Sequence, residues 1–598
     1  MPRGGDTLRY LIVATTSSLK LARAERVFAQ QARGPWRFAE HTAESGGVIR
    51  VYHESPDSKH VPPRVPLHET ESHLVLYDGF PLHPEFDAFD ARTLMSTERW
   101  DQLIGRYAVI RFTKSSGELE VVIDPIGGCQ CYHADMGEGW LLTNSPLIAH
   151  MLADRGDLDE YGASGLLCAP APLGQHTLVS TVRLLPQGSR SVAGIDRAPS
   201  SHAKDPLIAA GRSLFDMTPD QAASSFASVF GPIFHRLDEA GFDFRCALTG
   251  GRDSRALAAL YATSTNEPSF HFGGAQGAAE SVIAEQAATK LGGSFELKSD
   301  PNNPNAENYD DCEQSIFDRY CGMIDFTYLR PPPGTSPDPN EHREVHITGQ
   351  AGEIARWSFE SLSGMLRTPT VKTSSVRLRT RLIKKGDGLF TSRASSTAIN
   401  NVQSLIDQAL SAGVTHGNLQ TVVANQLKAP RWAALQLTRS AERRDIIAPF
   451  LTPTFFDVAM RIHPKHRFAD AFHRALITQC APEVLDVPFH SYLTTRQRLR
   501  NELARNIIGA VPHLKPVYAK RKGPGRHARW EPWLRPILRD RMLDHDKSSP
   551  VWGLIDRPTL ERTLCDETGE GFKLNVYPLL NAATLVRFWD WYGRLPSD

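Results

Sequence analysis

The sequence predicts an α/β chain in two parts, and three observations predict it. Up to residue 195 it runs in short apolar or alternating stretches broken by Gly and Pro, the habit of a β-rich domain. From Thr218 to about residue 350, strand-like runs alternate with helix-like ones, which implies a parallel sheet with helices on its faces. From about residue 395 onward the chain reads as mostly helical.

In the first part, strands are expected at 10–14, 73–77, 107–112, 119–123 and 140–143. Asp124-Pro125-Ile126-Gly127-Gly128 supplies turn chemistry between two of them, since Pro fixes φ and Gly permits φ > 0. Residues 196–217 lose periodicity and gain Ser, Asp, Pro and Gly, so they read as a linker between domains 1–195 and 218–598. A helix should then start at Thr218, with Pro219 at its first position and Gln221 completing a capping box. Its apolar face runs through Ala222, Phe226, Val229, Phe230, Ile233, Phe234 and Leu237, and Pro232 should kink it. Strands at 244–248, 270–272 and 345–347 alternate with helices at 254–261 and 281–291. The Pro-, Asn- and Asp-rich stretches 301–309 and 331–342 read as loops, and no internal repeat is present.

Composition excludes several classes. At 598 residues and roughly 150 per domain, the chain has room for two to four domains. Hydrophobic residues at 41% and charged residues at 22% sit near the globular average, which argues against a disordered chain or a coiled coil. Lys plus Arg and Asp plus Glu both number 67, so no chain-wide attraction to nucleic acid is expected. Eight cysteines without a CxxC pair make neither a disulfide scaffold nor a zinc site. Cys129 and Cys131 are most simply strand residues. No run reaches the ~18 apolar residues of a membrane helix, and the N-terminus lacks a secretory h-region. The expectation is a cytoplasmic enzyme with neither nucleic acid nor membrane as partner.

The chemistry is concentrated in Leu248-Thr249-Gly250-Gly251-Arg252-Asp253-Ser254-Arg255, between a strand and a helix. Unpaired helix N–H groups there can hold an anion, and two glycines let the backbone approach a polyphosphate closely. Asp253 would repel phosphate unless a cation lies between them, so it argues for Mg²⁺. The segment does not match a Walker A loop.

This segment resembles the SGGxDS pyrophosphate loop of the asparagine synthetase family, with Thr249 in place of the first Ser. Further on, Thr348-Gly349-Gln350-Ala351-Gly352-Glu353 resembles that family's SGxGSDE segment, and Asp445-Ile446-Ile447-Ala448-Pro449-Phe450-Leu451-Thr452 its PFLD segment. Tyr77-Asp78-Gly79, Gly105-Arg106-Tyr107-Ala108, Asp124-Pro125-Ile126-Gly127 and Leu184-Leu185-Pro186-Gln187-Gly188 resemble its glutaminase domain. The resemblance implies an N-terminal Ntn-type αββα glutaminase-like domain. It implies behind that a PP-loop ATP pyrophosphatase synthetase domain with a helical C-terminal part. It also implies ATP and Mg²⁺, with Leu248, Thr249, Gly250, Gly251, Asp253, Ser254, Phe272 and Gly349 around the nucleotide and Asp253 and Glu353 on the metal. The implied reaction is adenylation of a substrate carboxylate, followed by displacement of AMP by an amine.

The departures narrow the reading. Family members that hydrolyse glutamine expose a cysteine at position 2, whereas this chain has Pro2, and Asp78-Gly79-Phe80 replaces an Asn-Gly-Glu segment. That pattern resembles β-lactam synthetases and lasso-peptide cyclases, whose attacking amine belongs to the substrate. A small-molecule acid or a precursor peptide, with a leader-binding partner, are both compatible partners. Gln350 stands where the family has Glu or Tyr, and a neutral amide orients substrate but accepts no proton. His490 follows Ala481-Pro482-Glu483 at the spacing of the family's charge-stabilising Lys. The alternatives are an ammonia-dependent asparagine synthetase-like enzyme and a nucleotide-binding protein without catalysis. Arg252, Arg255 and Arg356 could pair with phosphate or form structural ion pairs. The basic run 515–529 reads as a solvated loop, a lid or a dock for an acidic peptide. Two clustered acids at 253 and 353 should repel without a metal, so Asp253→Asn is expected to leave the metal-free protein as stable or more so.

Because Pro2 offers no nucleophile and Phe80 removes a polar contact, purified protein should release no glutamate from glutamine. Glutamate appearing in a coupled assay would overturn that expectation.

Overall fold

The computed structural model describes residues 9–32, 35–54, 67–83, 92, 94, 100, 103–298, 304–329, 344–356, 371–384, 386–441, 445–467, 470–490 and 529–596. Among the described residues the fold is mixed α/β, with three sheets. Two antiparallel six-stranded sheets lie in the first 203 residues. One has the order β10-β8-β9-β1-β3-β2, built from β1 (Tyr10–Thr15), β2 (Trp36–Thr42), β3 (Val48–Glu54), β8 (Tyr132–Asp135), β9 (Gly139–Thr143) and β10 (Val182–Leu184). The other has the order β12-β11-β7-β6-β5-β4, from β4 (Leu67–Glu69), β5 (His73–Leu82), β6 (Ile104–Thr113), β7 (Glu118–Ile123), β11 (Ser189–Gly194) and β12 (Arg197–Ala203). The sheets pack face to face: Tyr10, Ile12, Ala14, Ile49 and Val51 of the first meet Leu74, Leu76, Ile110, Phe112 and Val121 of the second. The first sheet's other face, with Leu11, Val13 and Tyr52, is covered by α1 (Ser18–Gln31) through Ala24, Val27 and Phe28. Burial on both faces explains why 10–14 is uniformly apolar rather than alternating.

The expected strands form, each longer by one to five residues, but the stretch 196–217 is not an unstructured linker. It contains β12, paired antiparallel with β11, and a short helix Pro206–Gly211. Asp205 caps that helix through the N–H groups of Leu207 and Ile208, while its other oxygen accepts from Gln187 and Gln426. The strand was missed because Ser200, Ser201 and His202 carry no apolar alternation at a sheet edge.

The second part is built on a parallel five-stranded sheet ordered β15-β14-β13-β16-β17: β13 (Asp243–Ala247), β14 (Ser269–Gly273), β15 (Ser294–Lys298), β16 (Glu344–Ile347) and β17 (Asp445–Ile447). In chain order this is 3-2-1-4-5, a doubly wound sheet whose direction of winding reverses between β13 and β16. Helix α2 (Pro219–Glu239) carries the Thr218/Gln221 capping box and buries every residue of the expected face except Val229, which is partly buried. It runs unbroken through Pro232. Phe226 packs on Phe230, Phe450, Phe455 and Phe472 with ring centroids 4.7–5.7 Å apart. Helices α3 (Arg252–Ala262) and α4 (Ala279–Lys290) follow β13 and β14. Strands β15 and β17 were not expected, being short and carrying charges such as Glu296 and Asp445. Within 301–309, residues 304–308 form a turn as expected, while 301–303 and 331–342 lie outside the described residues.

The two parts meet along a π-helical turn, Lys428–Ala433. Gln130 donates to the Pro430 carbonyl at 2.7 Å, and Arg106 donates to Thr438 at 3.1 Å. Arg431, fully buried, donates to the carbonyls of Gly174 (2.9 Å) and His176 (2.7 Å). Among the described residues no helix is long and apolar enough to cross a membrane.

One sheet face carries a charged ladder rather than an apolar one. Glu344 of β16 contacts His346 at 2.6 Å and Arg245 at 2.7 Å, with Lys298 at 3.9 Å. Burial alone would raise the Glu344 carboxyl, but the His346 hydrogen bond and the two cations outweigh it and bring it down to about 2. A depressed carboxyl stabilises the fold above its ordinary range, and that contribution is lost as pH falls from 4.5 toward 2. Acid unfolding of the wild type should therefore lose about 3 kcal/mol at most through this group, and Glu344→Gln should flatten that limb in a pH series of thermal melts.

Candidate functional site

The site lies where the winding of the parallel sheet reverses, at the C-terminal ends of β13 and β16. Leu248 continues β13, donating its N–H to the His271 carbonyl at 2.9 Å, and its side chain is fully buried. Thr249, Gly250 and Gly251 then turn into α3, whose N-cap, Gly251, provides no side-chain cap. The turn is tied internally: Ser254 Oγ accepts from the Thr249 N–H at 3.0 Å, and Thr249 Oγ1 accepts from the Gly251 N–H at 2.9 Å. Small hydroxyl residues at 249 and 254 thus shape the turn as well as lining it.

Gly349 follows β16 and presses on this turn. A Cβ there would stand 2.7 Å from the Ser254 nitrogen and 2.9 Å from the Asp253 carbonyl carbon, so only glycine permits the approach. Gly352 lies equally close to the Asp253 side chain, where a Cβ would come within 2.6 Å of Cγ. Between them Ala351 takes φ +71°, a left-handed conformation costing about 1 kcal/mol for a residue with a Cβ. The 3₁₀ turn Gly352–Ala355 follows and carries Glu353, half-buried, one residue beyond the contact with Asp253.

Asp253 has partners that the sequence reading did not assign. Arg356 Nη2 lies 2.5 Å from Oδ2, and His473 Nε2 lies 2.9 Å from Oδ1. Burial would raise this carboxyl, but His473, Arg356 and Arg252 hold it below its ordinary range. The expected repulsion between residues 253 and 353 is therefore not what governs the metal-free site, because Asp253 is already neutralised. Arg356 resolves as a partner of this carboxylate, and Arg252 pairs with buried Asp470 at 2.9 Å. Arg255 does neither: fully buried, it donates to the carbonyls of Val484, Val487 and Pro488 at 2.5–3.4 Å and stacks on Phe489 at 4.1 Å.

That clamp delivers His490 to the turn. The His490 N–H donates to the Gly250 carbonyl at 2.8 Å, and a Cβ on Gly250 would stand 2.6 Å from the His490 Cβ. Gln350 points elsewhere, donating to the Ala433 carbonyl at the end of the π-helical turn at 3.5 Å. Phe272 sits half-buried near the end of the adjacent strand β14. The structure thus brings together Thr249, Gly250, Gly251, Asp253, Ser254, Gly349 and His490. It leaves the Leu248 side chain in the core. Residues 515–528 of the basic run, and Pro2, lie outside the described residues.

For a phosphate group the residues fit, since the Gly250 backbone and a helix N-terminus lie together at the C-terminal end of the sheet. For Mg²⁺ they fit as a site of one or two carboxylates completed by phosphates and water, with Arg356 in competition for Asp253. Among the described residues no group of three or more His, Cys, Asp or Glu forms a self-sufficient metal site.

In the first part, Asp78 is buried and accepts from Asn144 at 3.0 Å. Cys129 and Cys131 are buried, and burial pushes both thiols up, Cys131 to about 12, so neither supplies a thiolate.

No family model matches the sequence, and no curated protein matches it either. Among solved structures, one similar chain is described as the allosteric regulatory enzyme of purine biosynthesis, with 11% identity and a TM-score of 0.22 over 57% of this chain and 74% of that one. Another is the glutamine phosphoribosylpyrophosphate amidotransferase from B. subtilis complexed with ADP and GMP, with 12% identity and a TM-score of 0.21 over 58% of this chain and 77% of that one. Likeness this slight carries no functional argument.

Asp253→Asn should destabilise the ligand-free protein by about 1–3 kcal/mol, because it strips Arg356 and the buried His473 ring of their carboxylate partner. This reverses the sequence expectation. Thermal unfolding without added metal checks it, and an unchanged or raised melting temperature would restore the repulsion account.

Proposed function

We propose that the chain is an ATP-dependent, AMP-forming amide ligase of the asparagine synthetase kind, behind an Ntn-like domain without glutaminase chemistry. One observation carries the reading: the 249–254 turn and Gly349 converge at the C-terminal ends of β13 and β16, where a doubly wound sheet receives its ligand. The two antiparallel sheets facing each other under a helical layer support the Ntn-like reading of the first part.

In this reading the Gly250 N–H and the start of α3 hold the pyrophosphate end of ATP, while a substrate carboxylate attacks the α-phosphate. A magnesium ion held by Asp253 and Glu353 would supply charge neutralisation on the departing pyrophosphate. Gln350 donates to the Ala433 carbonyl, away from the turn, and as a neutral amide takes no proton. His490, held at the rim of the turn, faces the step in which the amine displaces AMP. Holding both reactants together can supply roughly 7–11 kcal/mol of the barrier. The amine comes from the substrate or from free ammonia, since Cys129 and Cys131 are inert and Asp78 is occupied by Asn144. A tailoring ligase of specialised metabolism, acting on a peptide or a small acid, fits this better than glutamine-dependent asparagine synthesis.

Incubation with ATP, Mg²⁺ and a panel of carboxylic acids, with ammonia or amines as acceptors, should release pyrophosphate and AMP in equal amounts. An authentic substrate pair that yields ADP and phosphate would sink the assignment.

A further inference from the structure

Asp253 is held between two groups of very different freedom. His473 is 1% exposed, on the helix Ala471–Cys480, with the rings of Phe450 and Phe472 at 5.8 and 5.4 Å. Those rings belong to the aromatic cluster that anchors α2, so the imidazole cannot follow a moving carboxylate. Arg356 is the residue directly after the 3₁₀ turn, and a quarter of its side chain is exposed. Asp253 is its ion-pair partner, and its Nε is buried without an acceptor among the described residues. A guanidinium has five donors, so this one carries unused hydrogen-bonding capacity at the edge of an anion-shaped turn.

We propose that Arg356 is an exchangeable counter-ion. It neutralises Asp253 while the turn is empty and passes to the phosphate oxygens when a polyphosphate enters, which frees Oδ2 for the accompanying divalent cation. The inference rests on the polyphosphate reading of the site and adds the order of events there. A buried carboxylate without a partner is costly, so a resting cation must be present. A planar guanidinium pairs with phosphate at least as well as with carboxylate, so the exchange replaces one charge-assisted pair by another. His473 keeps Oδ1 throughout, so the carboxylate stays in place while its outer partner changes. Binding of cation and anion then becomes mutually dependent: each favours the state the other needs.

The test uses the full chain as wild type, Arg356→Gln and Arg356→Lys, with calorimetric titration and thermal unfolding. The probes are MgCl₂ alone, inorganic pyrophosphate alone, and both together. The wild type should bind Mg²⁺ weakly alone and strongly with pyrophosphate. Arg356→Gln should bind pyrophosphate about tenfold more weakly and Mg²⁺ alone about tenfold more tightly, the opposite signs being the signature of exchange. Loss of both affinities, or no change in either, would overturn the inference and leave Arg356 a structural ion pair. Should Arg356→Gln fail to fold, Arg356→Lys decides: a point charge without the planar fork should weaken pyrophosphate binding severalfold, and unchanged affinity overturns the proposal. A wild type indifferent to pyrophosphate and to Mg-ATP would instead overturn the functional reading itself.

Discussion

The close approach of Gly349 to the backbone of Asp253 and Ser254 is the constraint on which the site depends. It joins the end of β16 to the beginning of α3 at a separation no side chain could occupy. With that contact made, Gly352 comes to rest against the Asp253 side chain, and the short turn after it delivers Arg356 to the same carboxylate. The register of β13 against β16, Cys246 opposite Ile347, sets the two strand ends level so that the contact can form. Burying apolar residues holds the sheet together, but the geometry of the site comes from two glycines.

A second layer steadies the first from beneath. Arg255, one turn into α3, has no carboxylate partner among the described residues; it binds three carbonyls of the 482–490 stretch instead. Burial lowers it to about 10, still far above neutrality, so it remains a cation there. By gripping carbonyls it converts an irregular stretch of chain into a rigid arm ending at His490. The aromatic cluster around Phe226 does the same for His473 on the opposite side.

How much of this was legible in the sequence follows from the range of each interaction. The turn, its glycines and the carboxylate at 253 are local, so their order in the chain reveals them. His490 entered the sequence reading only through its spacing after Ala481-Pro482-Glu483 in the family the chain resembles, and the structure places its backbone on Gly250. Arg356 and His473 were not assigned as partners of Asp253, because they lie 103 and 220 residues away and nothing near either one marks the pairing. That is why the sequence suggested repulsion at a carboxylate that is in fact neutralised. The same holds for secondary structure: buried strands such as β1 and β6 announce themselves, whereas polar edge strands such as β12 acquire their identity from a neighbour.

The π-helical turn at Lys428–Ala433 makes the two halves of the chain dependent on each other. Its irregular winding leaves carbonyls pointing sideways, and those of Pro430 and Ala433 are taken by Gln130 from one half of the chain and Gln350 from the other. Arg431, within the same turn, donates to the Gly174 and His176 carbonyls of the first half. Without the first half a buried guanidinium would lose the carbonyls it binds and the Pro430 carbonyl its Gln130 donor, so the second half is not free to fold around this turn alone.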